Sequence, residues 1–307
     1  MKKIVIAIGG NSLIRDEKHQ TVQDQLDATR GTCEQIAEIA QKKWRLAITH
    51  GNGPQVGFIL LRSELASHVL HRVPMDSCGA DTQGAIGYML QQSLQNIFKA
   101  RGIERRAVSI VTQVIVDPGD PAFRNPTKPI GPFYPDSSVG EKNGWQMMEA
   151  AGRGFRRVVA SPRPLQIVEG AIIKKLVDEG EVVIGAGGGG VPVIIDNDKL
   201  RGVEAVIDKD YSSSLLARDI GADTLLISTS IDKVCLKFGK SQQRCIDTMN
   251  VRDAERYLQR GEFGEGSMKP KIEAGIDFLK GGGKRVIITS PEHMVDALEG
   301  EGGTRIE

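Results

Sequence analysis

Long hydrophobic runs and an excess of charge of one sign are both missing from this sequence. The longest apolar stretches, such as residues 4–8 and 191–195, have the length of a strand, whereas a membrane helix needs about 18 residues. Basic Lys2 and Lys3 precede the first stretch, but glycines follow it at once, so the pattern does not indicate a signal peptide. Forty basic and 39 acidic residues leave a net charge of +1, which gives no bulk attraction to nucleic acid or anionic lipid. We therefore expect a cytoplasmic protein without membrane or nucleic-acid partners.

Cysteine is also scarce in the chain. Cys33, Cys78, Cys235 and Cys245 are widely spaced and form no Cys-x-x-Cys pair, which favours reduced, mostly buried thiols over disulfides or zinc ligands. His50 has no His, Cys or carboxylate at a metal-ligand spacing, so we expect it to be packed or hydrogen-bonded. The sequence predicts no metal site made of protein ligands.

Glycine, in contrast, is abundant. The 307 residues include 36 glycines, which is roughly 12% against an average of about 7%. The other fractions, 40% apolar and 26% charged, are those of a globular protein and exclude disordered, collagen-like and coiled-coil classes. Because the glycines cluster rather than repeat, they indicate places where the backbone approaches another group closely.

Strands and helices alternate along the first third of the chain. Lys3–Ile8 is a continuous apolar strand, residues 22–40 have helical spacing, and residues 45–49 form the next strand. A helix over residues 80–101 and a β-branched strand over residues 107–116 continue the series. This order, with near-continuous apolar strands, predicts an α/β fold with a parallel sheet covered on both faces.

The alternation stops between residues 117 and 164, which are rich in proline and show no sustained period. So long a loop is improbable inside a compact core, so we interpret this segment as a lid subdomain projecting from a single domain of residues 1–307. The α/β pattern then resumes, with helices predicted at residues 165–179, 211–219, 253–260, 271–279 and 292–298 and strands at 181–185, 191–195, 224–229 and 285–289.

Three of the predicted strands end in glycine clusters. These are Gly9-Gly10-Asn11, Gly51-Asn52-Gly53 and residues 187–190. Ligands of open α/β sheets bind outside the carboxyl ends of the strands, where glycine lets backbone N–H groups approach an anion. Three clusters at one sheet edge therefore predict a phosphate or carboxylate site.

Two common phosphate signatures do not fit. The P-loop pattern GxxxxGK[ST] is absent from the sequence. Residues 185–190 match GxGxxG formally, but an apolar strand follows them where a dinucleotide-binding fingerprint would open a helix. P-loop kinases and dinucleotide-dependent oxidoreductases are thus disfavoured.

Lysines at loop-to-helix junctions are the next candidates. Lys128 lies in the proline-rich segment, Lys209 lies between two aspartates before a predicted helix, and Lys271 follows a Gly-Ser-Met-Lys-Pro turn. Asp210 either caps that helix or holds a lysine in place.

At these residues the chain resembles carbamate kinase, a member of the amino acid kinase superfamily, from Lys3 to about Thr304. The resemblance rests mainly on Ala-Ile-Gly-Gly-Asn at residues 7–11, Asn-Pro-Thr-Lys-Pro-Ile-Gly at 125–131 and Val-Glu-Ala-Val-Ile-Asp-Lys-Asp at 203–210. It implies a three-layer αβα sandwich with a mainly parallel open sheet and a small projecting lid. It also implies a homodimer that uses ATP with Mg²⁺ to interconvert carbamate and carbamoyl phosphate, usually toward ATP in arginine fermentation or allantoin breakdown.

The resemblance also implies site residues. The carbamoyl and phosphoryl end would be held by Gly9, Gly10, Asn11, Gly51, Asn52 and Gly53. The catalytic residues would be Lys128, Lys209, Asp210 and Lys271, and the nucleotide would contact Lys209, Ser228, Lys233, Val234, Ser267, Met268 and Lys271.

Several residues depart from the family pattern, namely Ser12, Ala150, Ser230 and Lys233. They affect the expected lid geometry and nucleotide fit but leave the lysines and glycine clusters intact. The alternatives are a carbamate kinase-like accessory or binding protein with weak or no catalysis, and a sister kinase acting on acetylglutamate or a nucleoside monophosphate.

Overall fold

A large, mainly parallel β-sheet with helices on both faces forms the framework of the chain. The computed structural model describes residues 1–10, 13, 14, 16, 18–150 and 152–307. The helices of these residues, in chain order, are α1 Val22–Gln41, α2 Gly53–Leu65, α3 Met75–Arg101, α4 Ser138–Asn143, α5 Gly170–Glu179, α6 Lys209–Asp219, α7 Val251–Gln259, α8 Met268–Lys280 and α9 Met294–Glu299. No helix in these ranges is long and apolar enough to cross a membrane.

The strands follow the same numbering. They are β1 Lys3–Ile8, β2 Arg45–His50, β3 Ala107–Ser109, β4 Gln113–Val116, β5 Lys128–Tyr134, β6 Gln146–Ala150, β7 Gly154–Val159, β8 Pro164–Ile167, β9 Val182–Ile184, β10 Val191–Asp196, β11 Lys199–Gly202, β12 Thr224–Ser228, β13 Cys235–Leu236, β14 Arg244–Cys245, β15 Thr248–Met249, β16 Arg285–Thr289 and β17 Thr304–Ile306.

The main sheet has the order β15-β17-β16-β12-β1-β2-β9-β3, and its pairs from β16 to β3 are parallel. Successive side chains of a strand point to opposite faces, so β1 belongs to two cores. Its even-numbered residues Ile4, Ile6 and Ile8 pack with α1, α3 and α9. Val5 and Ala7 pack with α5, α6, α7 and α8 on the other face. The predicted parallel sheet with both faces covered is confirmed.

The predicted strand over residues 107–116 is wrong, because the structure divides it between two sheets. β3 lies at the edge of the main sheet, whereas β4 pairs with β8 and β10 in a second sheet of order β11-β10-β4-β8. Thr112, between them, bonds to the α3 side chain Gln83 through both its N–H (2.7 Å) and its carbonyl (3.0 Å). A contact between distant parts of the chain, and not a local turn sequence, stabilises the break.

One further helix prediction needs correction, and one helix was not predicted. The predicted helix over residues 165–179 begins only at Gly170, since residues 164–167 form β8 and pair with β4. Helix α2 was not predicted at all. It begins at Gly53, the last residue of the second glycine cluster, with Pro54 in its first turn, a position that proline tolerates in a helix.

The prediction of four reduced thiols is correct for two cysteines and wrong for the other two. Cys33 and Cys78 are buried and free. Cys235 and Cys245 form a disulfide. The antiparallel hairpin of β13 and β14 places these two residues directly opposite each other, so their side chains share a face.

The proline-rich segment contains its own small antiparallel sheet, of order β5-β7-β6, together with α4. Ile130 of β5 and Val159 of β7 pack against Val56, Met75 and Cys78, which lie on α2 and α3. The segment thus rests on the helix that follows the second glycine cluster. Its role as a lid stays a prediction.

Close packing requires glycine in the third cluster, residues 187–190. Gly189 has φ 96°, and a Cβ added there would lie 2.2 Å from the carbonyl oxygen of Ile207. A Cβ on Gly188 would lie 2.0 Å from the amide nitrogen of Asn52. The loop therefore fits only glycine between the second cluster and the segment that leads into α6.

We expect Gly189→Ala to lower the free energy of unfolding by about 3 kcal/mol or more, because it adds a backbone clash to a left-handed conformation. Gly102→Ala is the matched control, since Gly102 has φ 64° but nothing within 4 Å of an added Cβ. The control should lose only about 1 kcal/mol. Urea unfolding measures both, and equal losses would contradict the packing argument.

Candidate functional site

The three glycine clusters meet at one edge of the main sheet. β1, β2 and β9 are adjacent and parallel, so their carboxyl ends lie side by side. The N–H of Gly51 donates to the carbonyl of Ile8 (3.0 Å), and a Cβ on Gly51 would lie 2.8 Å from the nitrogen of Gly10. The predicted juxtaposition of the clusters is confirmed; Asn11 lies outside the described residues.

A buried carboxylate connects the N-terminal ends of two helices beside these clusters. Asp210 accepts from the Lys209 ammonium through Oδ1 (2.8 Å) and from the Lys271 ammonium through Oδ2 (3.0 Å). The Asp210 side chain is 3% exposed, and the two lysine side chains are 11% and 13% exposed. Lys209 opens α6 and Lys271 lies in the first turn of α8, so the pair fixes these helices relative to each other.

The electrostatics of this cluster favour its charged form. Burial alone would raise the pKa of Asp210, but the charges of Lys209 and Lys271 outweigh burial and lower that pKa to about 2. Burial lowers the pKa of Lys209, and the charge of Asp210 opposes that change. Each buried charge therefore depends on its partner, as is general for ion pairs removed from water.

The sequence left open whether Asp210 caps helix α6 or holds a lysine, and the position of Asp208 decides between the two. The N-cap of α6 is Asp208, whose Oδ1 accepts from the backbone N–H of Asp210 at 3.0 Å. Its other oxygen, Oδ2, accepts from the Lys128 ammonium at 2.6 Å. Sequence reasoning missed Asp208, although an aspartate just before a helix is itself a capping signal.

Two cavities open at this cluster. The first, of about 650 Å³, lies between the Gly51–Asn52–Gly53 turn and β5 and contains Lys128 in its wall. The second, of about 690 Å³, lies beside the carboxyl ends of β12 and β16. The residues that line both cavities are Gly10, Lys209, Gly266 and Lys271. Molecules in the two cavities would therefore meet at the lysines.

The predicted nucleotide residues divide into two groups. Lys209, Ser267 and Lys271 line the second cavity. Four others lie away from it: Ser228 and Val234 are fully buried, Met268 packs on the core, and Lys233 pairs with Asp247. The ends of β12 and β16 contribute three hydroxyl-bearing residues to this cavity, Thr229, Ser230 and Ser290. Ser230 was named above among the departures that affect nucleotide fit, whereas Ser290 was not predicted.

Ser290 is the most informative of these. Its hydroxyl is buried and has no hydrogen-bond partner among the described residues. A buried polar group without a partner costs free energy, so it indicates a ligand or water that satisfies it. Ser290 therefore supports a polar ligand in the second cavity.

His50 is packed against the third glycine cluster. It is 1% exposed, its Nδ1 lies 3.1 Å from the carbonyl oxygen of Gly51, and a Cβ on Gly187 would lie 2.3 Å from its Nε2. Burial lowers the pKa of His50 to about 4. The imidazole is thus neutral at physiological pH, and the prediction of a packed histidine is confirmed.

Among the residues that the structure describes, carboxylate, histidine and cysteine side chains do not assemble into a metal centre. In the described ranges no three or more of them are placed to hold a metal ion. The cationic groups dominate the shared wall instead, where three ammonium groups face two carboxylates. Such a site suits anions.

Comparison with known proteins agrees with this geometry. The model of the amino acid kinase family matches residues 2–290. Carbamate kinase from Pyrococcus horikoshii is 48% identical, covering 99% of each chain, and carbamate kinase-like protein YahI from Escherichia coli is 50% identical, covering 99% of this chain and 98% of that one. The structure of carbamate kinase from Giardia lamblia bound to AMP-PNP superposes with a TM-score of 0.94 at 41% identity, over 99% and 98% of the two chains.

The chain belongs to the amino acid kinase family. Within that family it groups with the carbamate kinases, and it is a kinase with the α/β fold and mainly parallel sheet described above.

We expect the pH dependence of stability to report the buried His50. Its folded-state pKa of about 4 lies below the ordinary value of about 6.5, so the unfolded chain binds the proton first as pH falls. Stability from this residue is full above pH ~6.5 and is lost as pH falls toward 4. Between pH 7.5 and 5.0 the wild type should lose about 2 kcal/mol more than His50→Gln.

Urea unfolding of both proteins at the two pH values tests this expectation. Other titrating groups are common to both proteins, so they cancel in the comparison. Parallel losses would mean that His50 is not held neutral by burial.

Proposed function

We propose that this kinase transfers a phosphoryl group reversibly between ATP and carbamate, giving ADP and carbamoyl phosphate. The observation that carries the proposal is the meeting of two cavities at Gly10, Lys209, Gly266 and Lys271. One cavity takes the carbamoyl end beside Gly51, and the other takes the nucleotide. The transferred group passes between them at the two lysines.

The reaction needs positioning and charge stabilisation more than proton transfer. Carbamate is already an oxyanion, so its attack on a phosphoryl group requires no general base. His50, the histidine next to the second cluster, is neutral and buried, which agrees with that requirement. Phosphoryl transfer of this kind is catalysed mainly by fixed cations and backbone amides.

Each part of the site has a role in the proposal. Lys209 and Lys271 neutralise the charge on the transferred group, and Asp210 orients both ammonium groups. The amides of the first two clusters, Gly9, Gly10, Gly51, Asn52 and Gly53, hold the carbamoyl and phosphoryl oxygens. Lys128 reaches the same region from the small antiparallel sheet.

We propose that magnesium arrives with the nucleotide as MgATP or MgADP. The described residues offer no group of three metal-ligating side chains, and both carboxylates near the lysines already accept from ammonium groups. Phosphate oxygens are the natural ligands of Mg²⁺ in kinases. The ion is thus part of the substrate, and the chain supplies the surrounding positive charge.

The physiological setting is part of the proposal. By its resemblance to carbamate kinases, the enzyme would run toward ATP synthesis in arginine or allantoin catabolism. It would work as a homodimer. The second candidate is an accessory protein with weak catalysis. It is favoured by the 50% identity to a protein named carbamate kinase-like and by Ser230, a departure from the family pattern that lines the second cavity.

Lys209→Ala tests the proposal directly. We expect wild-type protein to form ATP from ADP and carbamoyl phosphate, and the variant to lose roughly 10²–10³-fold in kcat through loss of one charge contact in the transition state. A coupled assay of ATP formation measures both. Lys269→Ala is the matched control, because Lys269 is on α8 but pairs with Glu265 outside both cavities.

The two outcomes separate the candidates. An inactive wild type would favour the accessory protein. An active wild type with full turnover in Lys209→Ala would remove this lysine from the catalytic machinery.

We also propose that residues 117–164 form a lid carrying Lys128. Closure would exclude water and deliver positive charge to the first cavity. Hydrogen exchange should show added protection in β5 and β7 when ADP and carbamoyl phosphate are present, with little change in the buried core strand β16. Equal exchange in β5 with and without the ligands would contradict the lid.

A further inference from the structure

Asp208 contacts two parts of the site at once. Its Oδ2 accepts from the Lys128 ammonium (2.6 Å), and its Oδ1 accepts from the backbone of Asp210 (3.0 Å). Lys128 opens β5 of the small antiparallel sheet, whereas Asp210 lies in the first turn of α6. One carboxylate therefore connects the small sheet to the helix that carries Lys209.

The two hydrogen bonds of Asp208 depend on different properties of its side chain. The helix cap needs only an acceptor oxygen, which asparagine also provides. The contact with Lys128 is an ion pair, which depends on the negative charge. The side chain is 12% exposed and Lys128 is 34% exposed, so the pair lies at the wall of the first cavity and is reached by solvent from one side.

The remaining ion pairs of the cluster explain why this contact matters. Asp210 holds Lys209 with one oxygen and Lys271 with the other, whereas Lys128 bonds to Asp208. A free lysine has a long flexible stem whose ordering costs conformational entropy. Asp208 supplies that ordering for Lys128 before substrate binds.

We propose that Asp208 is a positioning residue for phosphoryl transfer, holding the ammonium of Lys128 toward the head of α6 until the substrate anion takes its place. This inference rests on the proposed function. The carboxylate also repels the anionic substrate, so its charge should weaken ground-state binding while it speeds transfer. Asp208 acts through Lys128 and does not itself contact the transferred group.

Asp208→Asn separates the two bonds, since it keeps the cap acceptor and removes the charge. In ATP formation from ADP and carbamoyl phosphate, we expect kcat to fall about tenfold or more, while KM for carbamoyl phosphate stays the same or falls. In a Lys128→Met background, adding Asp208→Asn should change kcat less than twofold, because the residue through which it acts is gone.

Lysine acetylation followed by mass spectrometry gives a readout that needs no activity. N-hydroxysuccinimide acetate should modify Lys128 several-fold faster in Asp208→Asn than in wild type, with Lys209 and Lys271 unchanged. Glu204→Gln is the matched control, because Glu204 pairs with Arg157 of the same small sheet (2.9 Å) and should leave Lys128 reactivity unchanged.

The results overturn the inference in defined ways. An equal loss of kcat in both backgrounds, with a raised KM and a lower melting temperature, would make Asp208 a helix cap only. Turnover within twofold of wild type, or unchanged acetylation of Lys128, would remove its positioning role. If wild type forms no ATP, the proposed function fails, and the acetylation result still decides whether Asp208 holds Lys128.

Discussion

The carboxylate of Asp210, buried between two ammonium groups, is the constraint on which the site depends. A lysine placed at the first residue of a helix meets the positive end of the helix dipole, so Lys209 is unfavourable there by itself. Asp210 and Asp208, at the second residue and the cap of the same helix, reverse that penalty. Removing the Asp210 carboxylate would leave the buried charges of Lys209 and Lys271 without their partner.

The glycine clusters complete this arrangement from the side of the sheet. Their backbones touch, as the 2.8 Å approach of a Cβ on Gly51 to Gly10 indicates, so the amides of two strands lie against the lysine cluster. The ammonium of Lys209 reaches toward the carbonyl of Ala7, at 3.4 Å, which links α6 to the end of β1. Backbone amides of the glycine clusters and the paired ammonium groups therefore lie together at one edge of the sheet.

Local sequence patterns predicted this edge well because each strand carries its own signal. Apolar runs ending in glycine are readable for β1, β2 and β9, and parallel strands must place their carboxyl ends together. The break after Ser109 had no such signal, since Gln83 of α3 stabilises it from far along the chain. The same limit applies to Cys235 and Cys245, whose pairing follows from a hairpin register and not from spacing.

The site residues show the same contrast between features with a local sequence signal and features set by the fold. Lys209, Asp210 and Lys271 were predicted and come together, but the Asp-Lys-Asp sequence alone could not say which aspartate caps the helix. On the nucleotide side, only some of the predicted residues line the second cavity, and their role stays a prediction. Ser228 is the buried last residue of β12, one position before the lining residue Thr229, whereas the buried Val234 lies four positions beyond Ser230, just before β13. A strand alternates its faces, so an error of one residue in position exchanges a lining residue for a core residue.

The balance of charge in this cluster bears on the reversibility of the proposed transfer. A site that held polyphosphate with many unpaired lysines would bind substrates and products tightly, and uniform tight binding does not accelerate the chemical step. Here the two aspartates pair with all three lysines, leaving one positive charge in excess. An incoming anion must exchange with a carboxylate to reach Lys128, so part of the attraction is offset by the ion pair that it breaks. In the proposed reaction, the full positive charge of the cluster would therefore act on the state in which negative charge is spread between donor and acceptor oxygens, and either product would be released once that state has passed.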